Sequence, residues 1–318
     1  MKIWILFWII LFVVVFVLSM IISINRLGGK GVLPYQEGQK ASVTILSDLF
    51  YENARNHKYD LYLPDIKTTG MKHKLILFIH GGSYNSGSKE DGKAWCSFYA
   101  AKGYVTASLD YSLHKHGYDT NLNEMYEEVL YCVAAMKEKL SELEKKQKIL
   151  HIDSLVLSGC SAGGTLALGY AAKYGKKSPI PISHIFTLVA PVDFEPGYWK
   201  LLKRVDKVKT DAEFVKLMTG HSVSAEMMQT GKYETYIDEI SPARLISEDM
   251  KGIRIIIGYG LKDHCVPANQ KELLLNALNR CGIDYQYFEF PNCNHGMYRD
   301  LDIHEKFIEE VLKSLEEE

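Results

Sequence analysis

The 318-residue chain carries almost no net charge, −2 with its histidines neutral, so it gives no support for nucleic-acid binding, which depends on a basic patch or stripe. Its six cysteines, at positions 96, 132, 160, 265, 281 and 293, include no Cys-x-x-Cys pair and no metal-ligand spacing, which argues against a structural zinc site. Their number neither demands nor excludes disulfides. There is no Asn-x-Ser/Thr sequon, which weighs weakly against a glycosylated luminal domain. Neither a tandem repeat nor a low-complexity tract interrupts the chain.

What is present divides into two unequal parts. Ile3 to Ile24 holds 22 residues without a charge and with only two serines, and as a helix it would span about 33 Å, the thickness of a bilayer core. A cleaved signal peptide has a shorter apolar region and a small-x-small cleavage site, whereas this stretch ends Ser-Met-Ile-Ile-Ser-Ile. A single-pass, uncleaved membrane anchor over residues 1–25 is therefore expected, with a buried core helix as the other reading. Lys2 and the terminal amine nearly balance Arg26, Lys30 and Lys40, so the flanking charges leave the side of the membrane open. Residues 26–45, with Gly28, Gly29, Gly31 and Pro34, read as a juxtamembrane linker.

From residue 46 to 318, apolar runs alternate with helical patterns. With 47% hydrophobic side chains in the chain, this length suffices for a single large core. Leu75–Ile79, Leu155–Leu157, Ile185–Val189 and Ile253–Ile257 suit strands buried on both faces of a mostly parallel sheet. Met125, Tyr126, Val129, Val133, Met136 and Leu140 recur at helical spacing, which predicts a long covering helix. Between Asp193 and about Asp249 the alternation breaks. Tyr198, Trp199, Phe214, Leu217, Met218, Met227, Met228 and Tyr233 stand there among many charges, which predicts an inserted helical cap. Such residues either wall a substrate pocket or pack on their own core.

Gly159-Cys160-Ser161-Ala162-Gly163-Gly164 lies between an apolar strand and a helix pattern starting at Ala162. Glycines at 159 and 163 remove the Cβ atoms that would block a tight reversal and a close helix approach. Ser161 would then sit at a helix N-terminus as a nucleophile, with the Ala162 amide aimed at whatever it attacks. The alternative is a glycine-rich turn with a buried serine.

A serine nucleophile needs a base and a group that orients the base. Asp263 follows the strand-like run Ile253–Ile257, and His295 follows the run Tyr285–Phe290, giving the order Ser161, Asp263, His295. Asp284 and Asp300 are alternatives to Asp263. His304 falls in the amphipathic pattern Ile303, Phe307, Ile308, Val311, Leu312, Leu315 and reads as a helix-side residue. His80-Gly81-Gly82-Ser83-Tyr84 follows Leu75–Ile79, placing flexible backbone amides where the rest of an oxyanion hole is needed. His80 itself reads as a residue that shapes that loop.

On these residues the chain resembles an α/β-hydrolase of the esterase/lipase branch with a His-Gly-Gly-Gly-type loop, related to carboxylesterases, hormone-sensitive-lipase-like enzymes and arylformamidases. The resemblance runs from Tyr59-Asp60-Leu61-Tyr62-Leu63-Pro64 to the final helix. It includes Gly87-Ser88-Lys89 and Leu109-Asp110-Tyr111-Ser112-Leu113 in the family's order. It implies a mostly parallel sheet with helices on both faces, and oxyanion donors at the amides of Gly82, Ser83 and Ala162. Ser83 stands where many members have a third glycine, and Cys160 where the hormone-sensitive-lipase group has aspartate.

The reading is thus a membrane-tethered serine hydrolase that cleaves a small-molecule carboxylic ester through an acyl-enzyme, with no cofactor or metal required. Fold and triad do not choose between acyl substrates, so an amide-directed formamidase or peptidase stands as the alternative. A catalytically silent, ligand-binding hydrolase-like domain is the alternative of a different class. Cys160, Cys265 and Cys293, each within two residues of a proposed triad member, read as small apolar fillers. The sharper possibility is a redox-sensitive site with a Cys265–Cys293 bridge.

Overall fold

Each apolar run predicted as a buried strand is one. In the computed structural model, which describes residues 43–52, 57–65, 72–114, 120–149 and 151–317, the strands are β1 (Thr44–Glu52), β2 (His57–Leu63), β3 (Lys74–Ile79), β4 (Val105–Leu109), β5 (Ser154–Cys160), β6 (Ile182–Leu188), β7 (Arg254–Gly260) and β8 (Tyr285–Phe290). They form a single sheet in the order β1-β2-β4-β3-β5-β6-β7-β8. The β1–β2 and β2–β4 pairs are antiparallel, and every pair from β4 to β8 is parallel. The loops after β3, β5, β7 and β8 consequently open at one edge of the sheet, where an α/β fold places its ligands.

β-branched and leucine side chains explain the central strands. Leu155, Val156 and Leu157 of β5 have no exposure at all, and each such side chain contributes about 1.5–3 kcal/mol by leaving water. In register across the sheet, Phe78, Ser158 and Phe186 share one face. Helix α1 (Lys93–Ala100) covers that face through Trp95, stacked on Phe78, and Tyr99, beside Phe186.

The opposite face receives α3 (Ala162–Tyr174), which approaches so closely that a Cβ on Gly164 would touch Thr187 of β6 at 3.3 Å. The long covering helix is α2 (Leu122–Lys145), begun by Asn121, whose side chain accepts the Glu124 amide. It packs on α3 where Gly169 makes room for Tyr126.

Residues 193–249 hold α4 (Lys200–Val205), α5 (Asp211–Thr219), α6 (Ala225–Thr230), α7 (Glu234–Asp238) and α8 (Pro242–Leu245). Gly220 and Gly231, both at positive φ, end α5 and α6. Helix α9 (Asn269–Arg280) joins β7 to β8, and α10 (Leu301–Glu316) follows β8.

Two boundaries bear on the sequence reading. Thr44 and Ile45 already pair with Leu63 and Tyr62, so the sheet claims the last two residues of the stretch read as linker. The expected membrane helix over residues 3–24 lies outside the described residues, among which no helix is long and apolar enough to cross a membrane.

Candidate active site

Ser161 caps β5 in an unusual backbone conformation, φ 55° and ψ −125°, and leads directly into α3. A non-glycine residue in that region is strained, and the surroundings must hold it there. They do so with a hydrogen bond from the Ser161 amide to Leu188 O at 2.9 Å and from the Thr165 amide to Ser161 O at 3.1 Å. Neither neighbouring glycine tolerates a side chain. A Cβ on Gly159 would meet the backbone of Gly163, and one on Gly163 would sit on the carbonyl oxygen of Ile79. The turn exposes the serine hydroxyl while its residue stays buried, 8% exposed.

The three side chains expected to act together are brought together. Ser161 Oγ lies 2.9 Å from His295 Nε2, and His295 Nδ1 lies 2.8 Å from Asp263 Oδ2. The second carboxylate oxygen, Oδ1, accepts the amides of Cys265 at 2.7 Å and Val266 at 3.1 Å. The Asp263 side chain is thereby fixed and nearly buried, 5% exposed, whereas the His295 side chain keeps 27%.

The loops that carry them are zipped to each other. Leu261 donates to Phe290 O and Lys262 to Cys293 O. Gly260 is required there because a Cβ would come within 2.6 Å of Cys293 O.

The alternative residues have other tasks. Asp284 is exposed. Asp300 accepts the amide of Asn292 at 2.7 Å and its side chain at 2.9 Å, bracing the loop that bears His295. His304 is buried in α10, with Nε2 3.9 Å from Cys293 Sγ.

The loop after β3 forms a tight reversal through positive φ at Gly82, Ser83 and Tyr84. Gly82 O closes it by accepting the amides of Asn85 and Ser86 and the Ser86 hydroxyl. Tyr84 is driven into the core, where its hydroxyl donates to Thr165 Oγ1 at 2.8 Å, and Thr165 donates in turn to Pro191 O at 2.6 Å. The amides of Gly82, Ser83 and Ala162 find no acceptor among the described residues, and such orphan donors suit a developing negative charge.

His80 does shape this loop. It is 1% exposed, Nδ1 hydrogen-bonds Gly81 O at 2.7 Å, and burial lowers its pKa. Sequence reasoning gave no roles to Lys89, Asp110 and Tyr111, which turn out to support the same loop. The Lys89 amide donates to Asp110 Oδ1 at 2.8 Å, and its ammonium pairs with the buried Asp60 at 2.9 Å. Their recurrence in the resemblance was the available signal.

Ser83, Ser161, Ala162 and His295 open on a cavity of about 190 Å³ walled by Trp199, Leu201, Leu202, Pro191, Tyr84, Cys265 and Val266. Of the eight large residues singled out between 193 and 249, Trp199 alone reaches this cavity. It is held by a hydrogen bond from Nε1 to Asp193 O and by stacking on Phe194. Phe214 and Met218 are fully buried in the core. Arg244 anchors the segment through Asp193, at 2.8 and 3.1 Å, and Asp238, at 2.8 Å.

The cysteines divide differently from expectation. All six are free, so no Cys265–Cys293 bridge is formed. Cys293 is a buried filler whose thiol donates to Arg299 O, and burial raises its pKa to about 11. Cys160 is half-buried with its thiol pushed up to about 12 by desolvation. Cys265 corrects the filler reading, because its position on an open turn leaves it exposed.

Solved structures of known esterases share the fold. Esterase B of Lactobacillus rhamnosis, solved with a tributyrin phosphonate inhibitor, superposes over 95% of this chain and 92% of its own with a TM-score of 0.64 at 16% identity. A truncated carbohydrate esterase from gut microbiota superposes over 87% of this chain and 98% of its own, with a TM-score of 0.66 at 16% identity. Among curated proteins, the kynurenine formamidase of Salmo salar is 29% identical over 41% of this chain. The chain spans 40% of that relative's length. The BD-FAE family model matches residues 59–278, a stretch that contains Ser161 and Asp263 and ends before His295. With that match covering more than half of its length, on an α/β-hydrolase fold, the chain belongs to the BD-FAE family.

Proposed function

We propose that the chain is a serine hydrolase that cleaves a small carboxylic ester through an acyl-enzyme. The observation that carries this reading is the continuous hydrogen-bonded run from Asp263 through His295 to Ser161 Oγ, ending at a cavity that Ser83 and Ala162, two of the three residues with unengaged amides, help to line. His295 accepts the Ser161 proton as the hydroxyl attacks and returns it to the departing alcohol. Asp263 keeps the ring in the tautomer that leaves Nε2 free to accept and stabilises the imidazolium. The amides of Gly82, Ser83 and Ala162 stabilise the tetrahedral oxyanion, and water activated by His295 then releases the acid.

The cavity bounds the acyl group. About 190 Å³ closed by Trp199, Leu201 and Leu202 suits a short acyl chain, with residues 193–249 acting as the cap that excludes water. The similarity to kynurenine formamidase supports a second reading, hydrolysis of an N-formyl aromatic amine, since formyl is the smallest acyl group of all.

The test has two parts. A fluorophosphonate probe labels the parent protein and not Ser161→Ala; equal labelling of both overturns the nucleophile. Rates on p-nitrophenyl esters of increasing chain length fall steeply beyond short acyl groups, and an N-formyl aromatic amine turned over faster than any ester moves the assignment to the amide.

Ile3–Ile24 serves in this proposal as a single-pass anchor that tethers the catalytic domain to a membrane, supported by 22 uncharged residues. The full chain then sediments with membranes and resists alkaline carbonate. Release by carbonate removes the anchor from the proposal.

A further inference from the structure

One ligating atom from each of Asp263, Cys265 and His295 lies within 4.8 Å of the other two. The local fold makes this cluster. The amides of Cys265 and Val266 curl back onto Asp263 Oδ1, and the Cys265 thiol lies within 4.8 Å of the carboxylate that holds His295. Cys265 is exposed and the His295 side chain keeps 27% of its surface, so a solute approaches the cluster from the thiol side, with the Asp263 carboxylate, 5% exposed, at its floor.

We propose that these three side chains form a reversible inhibitory site for a borderline-soft divalent cation of the zinc class. A carboxylate, an imidazole and a thiolate make the mixed O, N, S donor set that Zn²⁺ accepts in tetrahedral coordination, with one position left for water. The thiolate disfavours Mg²⁺ and Ca²⁺, which take oxygen donors. The proposal rests on the reading of His295 as general base.

The proton balance explains inhibition. Before binding, Nδ1–H donates to Asp263 and Nε2 accepts from Ser161. Coordination at Nδ1 requires that nitrogen to be bare, so its proton passes to Nε2, while the Cys265 thiol releases its proton to solvent. One proton leaves per ion bound. Nε2–H then donates toward Ser161 Oγ and cannot accept from it, and the serine loses its base.

The experiment uses the purified protein with Zn²⁺ set by a metal buffer, and with Co²⁺ as a spectroscopic stand-in. p-Nitrophenyl acetate hydrolysis by the parent protein is expected to fall about tenfold at low-micromolar free Zn²⁺ and to recover on chelation, with Mg²⁺ inert. Cys265→Ser and Cys265→Ala, each normalised to its own metal-free rate, lose that sensitivity by about tenfold or more. Co²⁺ gives a thiolate-to-metal charge-transfer band in the parent that both variants lack.

Equal inhibition of parent and variants overturns the proposal, as does absence of the band or a band without inhibition. Fluorophosphonate labelling separates the two readings. If Ser161 labels and the Co²⁺ band is missing, the metal site alone falls; if the band forms and Ser161 does not label, the hydrolase reading falls.

Discussion

The Tyr111 ring lies 4.2 Å over the His80 imidazole, nearly parallel to it, and the Tyr111 hydroxyl donates to the His80 carbonyl at 3.0 Å. One residue thus fixes both ends of the histidine that opens the loop bearing Gly82 and Ser83. Removing the hydroxyl in Tyr111→Phe costs about 1 kcal/mol of stability. On the proposed mechanism its larger effect falls on the oxyanion amides, so kcat is expected to drop several-fold while KM barely moves. Steady-state kinetics decide it, and an unchanged kcat would separate this ring from catalysis.

Asp263→Asn keeps the shape of the side chain and removes its charge. The amides of Cys265 and Val266 retain an acceptor, so the fold survives. His295 loses the partner that selects its tautomer, and kcat is expected to fall by about 10⁴. A thermal melt close to the parent's, with activity near background, is the expected pair of results.

Gly163→Ala places a methyl group on the Ile79 carbonyl oxygen, where backbone meets backbone and nothing flexible can yield. The loss of stability exceeds about 3 kcal/mol. At Gly175 a Cβ would meet nothing closer than Ile182 Cδ1 at 3.8 Å, so Gly175→Ala serves as a tolerated control. Chemical denaturation of both variants tests the contrast.

Trp199→Ala removes the largest wall of the cavity beside Ser161. The rate on short acyl esters falls and the optimum moves to longer chains. A chain-length profile that stays in place would show that another surface limits the acyl group.

Burial depresses the pKa of four imidazoles, His80, His114, His184 and His304, with His114 lowered to about 4. Unfolded, these groups titrate near 6.5, so below that pH the unfolded chain binds more protons than the folded one. Their stabilising contribution is complete above pH 6.5 and is lost as the pH falls toward 4. The urea midpoint should hold steady from pH 8 to 7 and decline from 6.5 downward. A flat midpoint between 6.5 and 5 would contradict the assignment.

The sequence was informative wherever chemistry and backbone geometry coincide. Glycines at 159 and 163 have no other purpose than the turn that presents Ser161, and continuous apolar runs have no place other than a sheet covered on both sides. The register that brings Asp263 to His295 was legible only as loop order after successive strands. Leu201 and Leu202 were invisible as cavity walls, because side-chain direction in a short helix follows from tertiary packing. Cys265 was misjudged for a related reason. Composition favours burial of cysteine, and nothing in the local string reveals that the Asp263 carboxylate draws the 265 amide inward and leaves the thiol outside.

Ser161 and His295 touch across 134 positions of the polymer, and their meeting depends on β5 through β8 already lying side by side. During synthesis the hydroxyl emerges long before its partner imidazole, and on the proposed mechanism an incomplete chain holds a nucleophile with no means of losing its proton. On that mechanism turnover reports that the chain has folded through the loop after β8, and a fragment ending before the last strand is expected to be inert however well its first strands have assembled.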